Sequence, residues 1–87
     1  MGIVDVVADD LFDRSILTIK IEVLVNLNEI VEKGACLFVV RSVEDDLLIQ
    51  TIKAPQRGVI VKLFVEDNSI ISVNKGTVLC RIYDCNA

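Results

Sequence analysis

The chain has no histidine, no tryptophan, a single proline, and aromatic residues at only 5% of its 87 positions. Without histidine a Cys/His zinc site cannot be built. The three cysteines, Cys36, Cys80 and Cys85, form no Cys-x-x-Cys pair, and their odd number argues against a disulfide framework. Positive charge is short as well: nine lysines and arginines against thirteen acids give a net charge of −4. With no basic stripe and few aromatics, nucleic-acid binding is disfavoured. Lys20 and Glu22 interrupt the longest apolar run, so no segment is expected to span a bilayer and no membrane association is expected. The first ten residues carry acids and no basic cluster, unlike a secretory signal, and the expected location is cytoplasmic. There is no Ser-x-Gly elbow and no phosphate-cradling glycine run, so the expectation is a protein that is not an enzyme by itself.

What is present is aliphatic. Hydrophobic residues make up 53% of the chain, with a mean hydropathy of +0.58. Much of the excess is Val, Ile and Leu, which favour strands. A chain of this length forms one small domain, here residues 1–87, and buries only roughly 60–65% of its unfolded surface. The apolar excess also fits a surface patch for a partner or for a second copy of the chain.

Alternation and β-branching predict about eight strands. Ile3 to Val7 is the first, followed by a polar loop from Asp9 to Arg14. Ser15 to Val25 is the clearest, with Ile19, Ile21, Val23 and Val25 on one face and Thr18, Lys20 and Glu22 on the other. A fragment at Ile30-Val31 follows, then Cys36 to Arg41, Leu47 to Lys53, Val59 to Glu66, Ile70 to Val73 and Val78 to Tyr83. A helical reading fails for most of these, because β-branched residues crowd the preceding turn and the apolar spacing is nearer two than 3.6. Cys36 and Cys80 fall in apolar strands and read as small core residues, while Cys85 near the tail reads as an exposed thiol.

One phrase is written twice. Leu24-Val25, Lys33-Gly34 and Leu37 recur as Phe64-Val65, Lys75-Gly76 and Leu79. Asn28-Glu29 and Asn68-Ser69 mark tight turns, where asparagine tolerates the left-handed conformation. The two Lys-Gly steps mark two more, and Ala54-Pro55-Gln56-Arg57-Gly58 joins two strands, with Gly58 free to take a positive φ. The second copy is two residues longer between its valine and its glycine, with Ile70-Ile71 inside the extra length. A duplicated hairpin that cannot bury its own apolar face needs its twin, which predicts two sheets packed face to face.

The ordered series Val25, Asn28-Glu29, Val31, Lys33-Gly34, Leu37, Ala54-Pro55-Gln56-Arg57-Gly58, Val65, Lys75-Gly76 and Leu79 resembles the biotinyl/lipoyl carrier domain family. The likeness runs from about Ile3 to about Asp84, and the opening Ile3-Val4-Asp5-Val6 looks more lipoyl-like than biotinyl-like. It implies an all-β fold: a flattened β-barrel or sandwich of two four-stranded antiparallel sheets with pseudo-twofold symmetry. It also implies an acceptor lysine at the tip of the hairpin that precedes Ala-Pro. Here that stretch reads Val40-Arg41-Ser42-Val43-Glu44-Asp45-Asp46-Leu47, and no lysine lies between Lys33 and Lys53. A carboxylate cannot replace the amine that carries the prosthetic group through an amide, and the Arg41 guanidinium stays protonated and is a poor nucleophile. No biotin, lipoate or other cofactor is therefore expected.

The acidic tip has few other chemical uses. Glu44, Asp45 and Asp46 lack the spaced pattern of a calcium loop, and a hairpin tip is poorly placed to desolvate a general acid. They read as a solvated turn, with Arg41 and the three acids as a candidate contact surface for a basic protein partner. The favoured reading is an unmodified module acting by protein–protein contact, as an adaptor or a subunit of a larger enzyme complex. The alternatives are a biotin- or lipoate-bearing swinging-arm domain of a carboxylase or 2-oxoacid dehydrogenase-type complex, and a fragment related to membrane-fusion efflux adaptors.

Overall fold

The structure, a computed structural model, describes residues 2–8, 17–74 and 76–84. The expected polar loop from Asp9 to Arg14, the start of the second strand, Lys75 and Cys85 lie outside the described residues. The described residues form eight strands: β1 (Ile3–Ala8), β2 (Leu17–Val23), β3 (Ile30–Val31), β4 (Cys36–Ser42), β5 (Leu48–Lys53), β6 (Gly58–Leu63), β7 (Ser69–Val73) and β8 (Thr77–Asp84). They pair antiparallel into two four-stranded sheets, ordered β1-β8-β6-β3 and β5-β4-β2-β7. Moving every strand four places along the chain turns one order into the other. That is the pseudo-twofold sandwich expected from the repeat, and each sheet takes two strands from each half.

The core lies between the inner faces. Ile19, Ile21, Phe38, Val40, Ile60, Val73 and Ile82 are buried there, in the period-two positions the sequence marks. The repeated leucines, Leu37 and Leu79, add something alternation does not foresee. Each is buried beside a buried neighbour, Phe38 or Cys80. Each also sits where the pairing skips: Cys36 and Phe38 oppose Lys53 and Ile52, while Val78 and Cys80 oppose Val7 and Val6. An extra residue of this kind is a β-bulge, which bends the strand and lets two consecutive side chains turn inward.

The turns repeat in detail. Asn28 and Asn68 take φ of 71° and 59°, and Gly34 and Gly76 take 86° and 93°. The Leu24 amide donates to the Leu37 carbonyl at 2.9 Å, and the Phe64 amide donates to the Leu79 carbonyl at the same distance. Three expectations are corrected. Gly58 has no positive φ; it opens β6, and a Cβ there would strike the Ile82 side chain and the Tyr83 carbonyl. Cys36 is only half-buried, because it lies at the outer end of β4 beside the bulge, whereas Cys80 is fully buried. The strand expected to run to Glu66 ends at Leu63, where Phe64 crosses to bond Leu79.

Candidate functional site

The hairpin joining β4 to β5 projects the residues singled out from the sequence. The Ser42 amide donates to the Leu47 carbonyl at 2.9 Å, and the Asp46 amide donates back to the Ser42 carbonyl at 3.0 Å. Val43, Glu44 and Asp45 form the turn, and Asp46 closes it with φ of 59°, a conformation aspartate tolerates better than most residues. The Leu47 amide donates to Asp45 Oδ1 at 3.2 Å, an Asx-type contact that holds the turn from within.

Strand β2 supports the tip from the side. Lys20 and Arg41 are cross-strand partners on the outer face of the β5-β4-β2-β7 sheet. Lys20 Nζ lies 3.6 Å from Asp46 Oδ1, Arg41 Nε lies 3.7 Å from Glu22 Oε1, and Arg41 Nη1 donates to the Asp46 carbonyl at 3.3 Å. With Asn68 these side chains line an open polar recess of about 310 Å³. Asp46 and Arg41 are thus tied into the sheet, whereas Glu44 and Asp45 meet no cation among the described residues. The four sequence-marked residues therefore divide into two that brace the tip and two that present charge.

Sequence reasoning missed the apolar surround. Val43, Leu47, Leu48 and Ile49 are all exposed, Leu47 by 64%. It missed Lys20 as a tip residue too. Alternation places Lys20 on an outer face, but only the strand order brings it to the hairpin. The lysines nearest in sequence lie elsewhere: Lys33 is in the turn before β4, and Lys53 ends β5 opposite Cys36. Among the described residues no three acidic or thiol side chains gather as metal ligands.

Two interlocked four-stranded sheets with a hairpin carried at one sheet's side define a small all-β module. The family model described as "Biotin-requiring enzyme", of the biotin/lipoyl type, matches residues 15–82, and the chain belongs to that family. No curated protein matches it.

Proposed function

We propose that this chain is an unmodified member of the biotin/lipoyl family that works by protein–protein contact, presenting the β4–β5 tip to a basic partner surface. The observation that carries the reading is the composition of that tip. It shows Glu44 and Asp45 at its end, exposed Val43, Leu47 and Leu48 beside them, and no amine in the turn. Carboxylates that meet no cation among the described residues, beside apolar side chains, suit a partner with an apolar patch rimmed by lysine or arginine, where complementary charge steers encounter and sets register. In this reading the domain takes no direct part in covalent chemistry. It positions a larger enzyme complex or bridges two of its members.

The test is the intact mass of the chain after co-expression with biotin and lipoate ligases, beside an ordinary carrier domain as positive control. The expected result is modification of the control and an unchanged mass here. An increment mapped to Lys20, Lys33 or Lys53 would overturn the proposal and restore a swinging-arm role.

A further inference from the structure

We propose that the edge of β7, which no other described strand pairs, is a self-pairing surface, through which two copies of the chain join antiparallel into one continuous sheet. The inference does not depend on the role given to the hairpin tip. An edge strand offers a row of unused amides and carbonyls, and proteins blunt such edges by shortness, charge or bulges. Among the described residues the sandwich has four edges, and three are blunted. β3 is two residues long. β1 carries Asp5 and pairs irregularly after Val6. β5 carries Lys53 and pairs irregularly with β4 at both ends. β1 and β5 also stand together along an open groove of about 390 Å³ lined by residues of both.

β7 has none of these devices. Its sequence, Ser69-Ile70-Ile71-Ser72-Val73, holds no charge, proline or glycine, and its register against β2 is unbroken. It is also where the two halves differ in length. From the turn asparagine to the turn glycine the first copy runs Asn28 to Gly34, and the second runs Asn68 to Gly76, two residues more. The edge strand is two residues long in the first half and five in the second, so the extra length goes with a longer strand.

The hydrogen-bond parity shows which groups point outward. The Ser42 amide bonds toward β5, so its partner Ile19 directs its own amide and carbonyl toward β7. The Val23 amide, of the same parity, points that way too and meets Asp67 Oδ1 at 2.8 Å. Ile19 opposes Ile71, so Ile71 is bonded to β2, while Ile70 and Ser72 direct their backbone groups off the edge. A second β7 laid antiparallel about a twofold at Ile71 sets Ile70 against Ser72 and Ser72 against Ile70. Each pair then exchanges both bonds, and the two Ile71 side chains meet at the centre. The strand is neutral, so self-pairing meets no like-charge repulsion within it. A second copy satisfies this edge with no further partner. The contact is smaller than the ~800 Å² per partner of a standard interface, so the dimer is weak and concentration-dependent.

Sedimentation of the native chain from roughly 10 μM to 1 mM should show mass rising toward the dimer. Over the same range the Ile70 and Ser72 amides should become protected from hydrogen exchange. Ile70→Lys places a charge at a position already 60% exposed; it should keep the native circular dichroism and weaken association at least about tenfold. Ser72→Lys, at an exposed site, serves if that variant fails to fold. A monomer at every concentration, association undiminished in a folded variant, or protection confined to another edge would overturn the proposal.

Discussion

The two halves of the molecule agree at their buried leucines and turn glycines and disagree on their outer faces. Leu37 and Leu79 are both fully buried at a bulge, and Gly34 and Gly76 turn through nearly the same φ. Equivalent rows on the outer faces have diverged. Across one sheet the row reads Ile3, Tyr83, Val59, Ile30, which is apolar apart from the tyrosine hydroxyl. Across the other it reads Leu48, Arg41, Lys20, Ile70, with two cations at the centre. Core positions are tied to each other by close packing, which penalises volume changes of a single methylene. Outward positions answer only to water and partners, so that is where two copies of one design acquire separate tasks.

The largest test of the inner likeness truncates the two leucines. Leu37→Ala and Leu79→Ala should each lower unfolding free energy by about 3–4 kcal/mol in urea titrations. Near-equal losses sharpen the equivalence, and a gap of more than about 2 kcal/mol would break it. Next come the glycines. Gly58→Ala should cost about 2–3 kcal/mol, because the methyl meets Ile82 and the Tyr83 backbone. Gly34→Ala and Gly76→Ala, with open space at the Cβ but positive φ, should cost about 1 kcal/mol each by the same titration.

A test of another kind, conditional on pH, uses a position where the halves differ. Cys80 occupies the inward site that Phe38 fills in the first half. Burial, with a lesser push from the Asp5 carboxylate, raises its thiol from 9.0 to about 11. Its folded pKa lies above the unfolded one, so the contribution is complete below pH 9. It is lost as pH rises toward 11, where the unfolded chain ionises first. The loss should reach roughly 2 kcal/mol by pH 11. It should vanish in Cys80→Val when denaturation midpoints are compared from pH 8 to 11.

Much of the architecture was legible because its causes are local. Alternation in Thr18 to Val23 and turn chemistry at Asn28, Gly34, Asn68 and Gly76 act within a few residues. The illegible parts depend on what lies opposite. Gly58 looked like a turn glycine because its reason for being glycine, the proximity of Ile82, is 24 residues away. The bulges at Leu37 and Leu79 show only when partners are aligned. At the candidate site the acids of the tip were visible, but the brace from Lys20 needed the strand order. The positive φ of Asp46 was not signalled, since an aspartate in an acidic run reads first as solvated charge.

The exchange of strands between the sheets has a consequence for how the chain must fold. β1 and β3 of the first half complete a sheet with β6 and β8 of the second, and β2 and β4 complete theirs with β5 and β7. A nascent chain that has emerged only through β4 holds a single adjacent pair, β2 with β4, and cannot close either layer. Loop closure must precede most of the contacts that reward it. Folding therefore waits for β8, which bridges β1 and β6, and the last strand of the sandwich carries the commitment step.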